Sequence, residues 1–423
     1  MAQAGEGQRG GPAGRIAIVG AGPAGCYLAQ ALLRAAPGLE VNLIDALPVP
    51  FGLLRYGVAP DHQGTKAVTR QFERLFDRQG ARFFGNVTVG RDIALDTLRA
   101  SHDAVVLAVG LAGDRRLGIP GDDLPGVIGA GRLTRAILEH PDADPLPDLG
   151  PAPLIIGNGN VAIDILRLLS KTPEEFAGSD LGSAPGRWLA EGGIGAITVI
   201  GRAPAGRARF DPAMIRELGR LGAVRISVGD RGGEADGPEA AARLAALAAI
   251  DGHGAGPRRI RFRFALRPVA VEGGARVEAL RVVRPDGAEE RIACSAIITA
   301  IGFADAGLLG RDGLIGAAAD AESGLIAPGL FAAGWFRRGP RGTIPDARAE
   351  AQALAGPILA ALAPDPGRAG AAALAGLADI VDWQGWRRID ARERAAAPPD
   401  RVRAKIPTRG EMLRIARERE NAS

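Results

Sequence analysis

The chain has 423 residues with 47% hydrophobic content, enough for two or three cored domains, and its net charge of +4 is small for that length and comes with no nucleic-acid-binding motif. No apolar run approaches the ~20 residues of a membrane span, and residues 1–14 lack the apolar block of a secretory signal, so a cytoplasmic globular protein with a disordered tail over 1–14 is expected. Cys26 and Cys294 lie singly in apolar segments, which excludes a dithiol reductase of the usual kind, and the four histidines form no ligand-spaced cluster, which argues against a structural metal or an iron–sulfur centre.

The first predicted strand, Ile16 to Val19, runs into Gly20-Ala21-Gly22-Pro23-Ala24-Gly25 and then a helical stretch from Cys26 to Leu33. That strand–turn–helix context is what a dinucleotide fingerprint requires. Glycines let the backbone approach a pyrophosphate, and the free amides of the helix N-terminus turn partial positive charge toward it. A second apolar run, Val41 to Ile44, ends at Asp45, twenty residues past the last glycine, where a carboxylate meets a ribose hydroxyl. A second fingerprint, Gly157-Asn158-Gly159-Asn160-Val161-Ala162, follows Leu154-Ile155-Ile156, so two dinucleotide sites are expected.

Two apolar strands ending in glycine, Val105 to Gly110 and Ile297 to Gly302, bracket the second fingerprint and read as hinges. The expected fold class is α/β, with two Rossmann-like dinucleotide-binding domains, the second inserted into the first. The first is built from residues 15–110 and 299–423 and the insert spans 111–298. The stretch from Gly229 to Gly256, rich in Gly, Ala and charge, reads as a variable excursion. Arg259-Ile260-Arg261-Phe262-Arg263-Phe264 alternates strictly, setting three arginines on one strand face. A solvated face is the favoured reading, and a docking face for an acidic protein the other. Trp383 and Trp386 read as packing anchors.

Beyond Asp45, the segment Pro48 to His62 (PVPFGLLRYGVAPDH) closely resembles the adrenodoxin reductase type of ferredoxin:NADP+ reductase. The resemblance continues through Gly157 to Asp164, the strand ending Ile200-Gly201-Arg202, and Gly334-Trp335-Phe336-Arg337-Arg338-Gly339-Pro340, and reaches Asp382-Trp383. It therefore covers nearly the whole chain.

The resemblance implies hydride transfer from NADPH to the N5 position of noncovalent FAD, then single electrons to a small acidic iron–sulfur ferredoxin that serves a cytochrome P450 or another ferredoxin-dependent enzyme. It implies a monomer. The cofactor carries the chemistry and the protein supplies position and field. The first site, residues 15–110 with 299–423, is then the FAD domain and 111–298 the NAD(P)H domain. Gly20, Gly22, Pro23, Ala24 and Gly25 would surround the FAD pyrophosphate and Asp45, where the family has glutamate, the ribose. Leu53 and Arg55 match flavin-lining positions. Gly334, Trp335 and the backbone of Gly342, Thr343 and Ile344 match the segment along the isoalloxazine, where a helix N-terminus can stabilise a reduced anionic flavin. Arg341 and Pro345-Asp346 depart from the family pattern there.

Gly157, Asn158, Gly159, Asn160 and Val161 would hold the nicotinamide nucleotide. The family places two arginines at its 2′-phosphate, whereas this chain has Arg202-Ala203. Arg207 or Arg209 lies on the same loop, so NADPH is expected over NADH. His62 and Glu217 match the residues nearest the hydride path, and Asp164 a carboxylate beside them. Two alternatives stand next to this reading. One is an electron-transfer flavoprotein like the glutamate synthase small subunit, which predicts an N-terminal cysteine-rich cluster domain that this sequence does not show. The other is a flavin-binding redox sensor with little turnover.

Overall fold

The computed structural model of the chain describes residues 13–229 and 236–418. Short, continuously apolar runs become strands buried on both faces, the pattern of a parallel sheet sandwiched between other layers. The first sheet orders its strands 325–327, 330–332, 104–107, 15–19, 40–44 and 82–84, all parallel except for the 325–327 and 330–332 pair. Ile16 lies beside Val41 on one side and Ala104 on the other. The glycine turn after Val19 therefore opens at the carboxyl ends of the central strands. On one face, helix Pro23–Ala35 packs with helix Ile344–Ala360 through Leu28, Leu32, Ala351 and Leu354. A separate core including Val105, Leu107, Leu330 and Phe336 fills the other face.

The second sheet is wholly parallel, in the order 127–129, 296–299, 153–156, 196–200, 258–263 and 224–228. Helices cover one face. An antiparallel meander of strands 267–273, 277–283 and 289–293 covers part of the other, with Val271, Leu280 and Val282 packed on Leu154, Ile156 and Ile297. The two passages of chain between the sheets run side by side, Gly113–Asp114 pairing antiparallel with Phe303–Ala304.

Several expectations change. Residues 1–12 lie outside the described residues, whereas Ala13 and Gly14, counted with the tail from the sequence, are tied by backbone hydrogen bonds to Gly38 and Glu40. The stretch from 229 to 256 is no mere excursion. Residues 230–235 lie outside the described residues, and Pro238–Ile250 is a helix whose Ala240, Ala246, Leu247 and Ile250 are buried. The alternating strand is interior to the second sheet. Ile260 and Phe262 enter the core while Arg259 and Arg261 face solvent. Arg263 is bound through both terminal nitrogens to Glu290 at 2.5 and 2.7 Å, so the meander neutralises it.

Trp383 and Trp386 are buried anchors, with Phe51 edge-on to both at centroid distances of 6.4 and 5.9 Å. Cys26 and Cys294 are both buried free thiols. Among the described residues no helix is long and apolar enough to cross a membrane, and no His/Cys/Asp/Glu group is placed to hold a metal ion.

Candidate active site

At the first fingerprint the backbone itself requires glycine. Gly20 sits at φ +111°, and a Cβ there would lie 2.4 Å from the Ala108 carbonyl oxygen. A Cβ on Gly25 would lie 2.0 Å from the Gly20 oxygen, so this glycine lets helix and strand meet closely. Gly22 caps the helix without a side-chain hydrogen bond and Pro23 opens its first turn, which leaves the first-turn amides free for an anion. Two further glycines close in from elsewhere in the chain. A Cβ on Gly52 would come within 3.2 Å of the Gly22 Cα, and one on Gly334 within 2.6 Å of the Ala24 Cβ. Three segments thus pave one cradle with bare backbone, which fits the pyrophosphate of FAD.

Asp45 stands at the expected strand end, but its carboxylate is already engaged. Oδ2 accepts from the Ala21 amide at 2.8 Å and Oδ1 from the Leu47 amide at 2.9 Å. Burial pushes its pKa up to about 6 against the lowering effect of those two amides. Because each carboxylate oxygen can accept more than one donor, a ribose hydroxyl can share the group. Asp45 therefore also fixes the fingerprint turn from the inside.

Leu53 is 40% exposed, on the short helix Leu53–Tyr56 that follows the Gly52 turn. Arg55, expected to line the flavin, is buried. It pairs with the fully buried Glu393 and lies over the rings of Tyr56 and Trp386, 5.0 and 5.2 Å from their centroids. Glu393 comes from helix Trp383–Ala395, and a carboxylate buried so deeply needs a cation beside it. Arg55 is thus a buttress beneath the loop.

Trp335 is half-buried against Phe303, with ring centroids 5.3 Å apart. The Gly334 amide donates to Glu350 Oε2 at 3.0 Å, and Arg337 and Arg338 bind the same carboxylate at 2.7 and 3.1 Å. Gly342 has φ +87°, and helix Ile344–Ala360 begins with a capping box. The Thr343 amide donates to Asp346 Oδ2 at 2.6 Å, and Pro345 carries no N–H. This helix end accordingly keeps fewer free amides than the two fingerprint helices, and it holds a carboxylate as well.

The second fingerprint repeats the logic of the first. Gly157 has φ +128°, and its Cβ would lie 2.2 Å from the Ala300 carbonyl oxygen. Gly159 caps helix Asn160–Ser170 without a side-chain bond, and the half-buried Val161 lies in the first turn. The turn is held by its neighbour loop. The Arg209 amide donates to the Asn158 carbonyl at 3.0 Å, and the Asp211 amide to Asn160 Oδ1 at 2.8 Å. Arg202, Arg207 and Arg209 are all exposed, Arg209 running alongside Gly159 and Arg207 reaching Asp236 at 3.7 Å.

His62, Asp164 and Glu217 come from three segments far apart in sequence and meet at one place. His62 Nδ1 lies 3.8 Å from Asp164 Oδ1, and Nε2 lies 3.4 Å from Glu217 Oε2. Asp164 is raised from its ordinary carboxylate value by burial, against the opposing pull of Arg167 and His62. Three further residues complete the cluster. Arg167, only 2% exposed, binds Asp61 through Nη1 and Asp164 through Nη2 at 2.9 Å, and its Nε faces Glu217 Oε2 at 3.5 Å. Lys171 also binds Asp61 and donates to the Glu175 carbonyl at 3.0 Å. Burial opposes the charge on Asp61, but Arg167 and Lys171 outweigh it and hold the carboxyl down to about 2. Sequence reasoning assigned no role to Asp61, Arg167 or Lys171. The signal was present in the spacing, since positions 160, 164, 167 and 171 share one face of a helix.

A family model described as pyridine nucleotide-disulphide oxidoreductase matches residues 14–217. Cindoxin reductase of Citrobacter braakii is 42% identical over 421 residues, covering 96% of this chain and 91% of its own. NADPH-ferredoxin reductase FprA of Mycobacterium tuberculosis is 32% identical over 458 residues, covering 95% and 98%. The solved structure of that FprA in complex with NADPH superposes with a TM-score of 0.87 at 31% identity, over 96% of this chain and 99% of that one.

Proposed function

Since this chain belongs to the ferredoxin:NADP+ reductases of the adrenodoxin reductase type, we propose that it takes electrons from NADPH through FAD to an acidic iron–sulfur ferredoxin, acting as a cytoplasmic monomer. When bound, FAD supplies a group that accepts two electrons together and releases them one at a time. The protein's part is to hold two nucleotides end to end and to control charge and water between them. The observation that carries this reading is the convergence of His62, Asp164 and Glu217 in a protein with two glycine turns whose first-turn amides are uncapped.

We place the FAD pyrophosphate on Gly20 to Gly25, with Gly52 and Gly334 closing the cradle, and the nicotinamide nucleotide on Gly157 to Val161. The loop that supplies Arg202, Arg207 and Arg209 is hydrogen-bonded to the second turn, which supports its use at the 2′-phosphate. His62 orients the nicotinamide ring between two carboxylates, and the exchangeable protons of this cluster are available when the cofactor takes up charge.

The test is anaerobic mixing of the purified flavoprotein with NADPH and, separately, with NADH. Fast bleaching of the flavin by NADPH and slow bleaching by NADH are expected. No bleaching by either nucleotide would remove the reductase reading in favour of a flavin-binding sensor, and faster bleaching by NADH would show that Arg202, Arg207 and Arg209 do not select the 2′-phosphate.

A further inference from the structure

The buried guanidinium of Arg167 lies at the centre of the cluster, facing Asp61, Asp164 and Glu217. It spans the two halves of the molecule. Asp61 and His62 belong to the loop that continues from the first domain, whereas Arg167 lies on the helix opened by the second fingerprint and Lys171 directly follows its last turn. Asp61 is held by both of these cations. The opposite side of the cluster is slack. The contacts of Glu217 with His62 and with Arg167 Nε, and that of His62 with Asp164, measure 3.4, 3.5 and 3.8 Å. Arg167 Nε and Asp61 Oδ1 are both buried without a hydrogen-bond partner. Unpaired buried donors are costly, so a guanidinium left one bond short is poised to take another when its neighbour moves.

The neighbour that can move is Glu217. It rides on helix Pro212–Leu218, which starts directly after the loop hydrogen-bonded to Asn158 and Asn160 at the second fingerprint. A nucleotide seated on that turn bears on the same loop. Hydrogen bonds that are long before substrate arrives commonly tighten in the reacting complex.

We propose that Arg167 is a positioning residue for the hydride-transfer site: it clamps the Asp61–His62 loop onto the second fingerprint helix and draws Glu217 onto His62 when the nicotinamide nucleotide binds. The proposal rests on the reading of His62 and Glu217 as the groups beside the nicotinamide. Charge counting supports it. Asp61, Asp164 and Glu217 face Arg167, Lys171 and His62, so with His62 neutral the three carboxylates exceed the two cations by one, and loss of Arg167 leaves an excess of two. Asp164 then keeps its proton to higher pH, because the guanidinium that opposes the effect of burial is gone.

The experiment compares the wild-type flavoprotein with Arg167→Gln and Arg167→Lys. Bound flavin and thermal melting report folding, binding of 2′,5′-ADP reports the fingerprint end alone, and single-turnover flavin reduction by NADPH is followed across pH. Arg167→Gln should retain flavin and 2′,5′-ADP affinity but reduce flavin at least tenfold more slowly at saturating NADPH, with its pH profile displaced to higher pH. Arg167→Lys, which keeps the charge but not the fork, should restore the pH profile and only part of the rate. An unchanged rate and profile in Arg167→Gln, or a loss of 2′,5′-ADP binding as large as the loss of rate, overturns the proposal. Should Arg167→Gln not fold, Asp61→Asn releases the same clamp from the other side, and a wild-type reduction rate in that variant overturns it equally. Bleaching of the wild-type flavin in the same series keeps a failure of the reductase reading separate from a failure of this one.

Discussion

At the residue scale, charge is placed where the backbone leaves it room. The two fingerprint helices present uncapped amides, whereas the helix at Ile344 has its first turn closed by Asp346 and Thr343 and interrupted by Pro345. If the flavin lies along Gly342 to Ile344, the Asp346 carboxylate opposes the negative charge that reduction adds. Asp346→Asn should therefore move the flavin midpoint potential to a more positive value, while the amide oxygen still accepts from Thr343. Equilibration with a reference dye measures this, and an unchanged or more negative potential would place the cofactor away from this helix end. Arg55 teaches the converse. A motif position next to an expected cofactor can also serve the core, because Glu393, distant in sequence, arrives beside it and requires a cation.

At the element scale, the glycine turns work because strand, turn and helix are packed too closely for a side chain. Gly25 is the tightest case at the first site, with a would-be Cβ 2.0 Å from backbone that cannot rotate away. Gly25→Ala should push the helix off the strand, with an overpacking cost of roughly 1–3 kcal/mol, and yield protein with less bound FAD and a lower melting temperature. Flavin absorbance per polypeptide measures it, and full occupancy would mean that the turn relaxes more freely than its geometry implies. Both fingerprints were legible as elements because their glycine spacing is local. Helix Pro238–Ile250 was not, since its alanine-rich sequence has little contrast between faces and only packing selects Ala240, Ala246, Leu247 and Ile250 for burial.

At the scale of the whole molecule, buried charge joins segments remote in sequence. All three lysines, Lys66, Lys171 and Lys405, are committed to carboxylates, Lys66 and Lys405 both to Asp180 at 2.7 and 3.2 Å. Burial opposes the charge on Asp180, but Lys405 and Lys66 hold it below its ordinary range. Two groups should subtract from stability as pH falls, while Asp45, pushed up to about 6 by burial, adds to it between about 6 and its ordinary 3.8. His140 meets Tyr56 edge-on with ring centroids 4.8 Å apart and its Nδ1 accepts from the Asp142 amide, so the folded imidazole is neutral, and burial lowers it from 6.5 to about 4. The unfolded chain takes up that proton first, so this contribution is complete above pH 6.5 and declines as pH falls toward about 4. Asp61 contributes above its ordinary 3.8, and that part is lost as pH falls through about 2. Melting temperature against pH measures both. In His140→Phe the decline between 6.5 and 4 should flatten, and an unaltered slope would remove His140 from the account.

The sequence by itself determined the two dinucleotide turns, the strands that feed them, Asp45 at the strand end and the family motif around His62, because each is encoded by neighbours within a few turns or strands. It brought His62, Glu217 and Asp164 to notice only through the family pattern. That they meet, that Arg167, Asp61 and Lys171 bind them into one charged cluster, and that Arg55 pairs with Glu393 were decided by the tertiary structure. Those contacts join residues up to 338 positions apart. Their partners are chosen by which charges the fold leaves buried together, and no local periodicity records that choice.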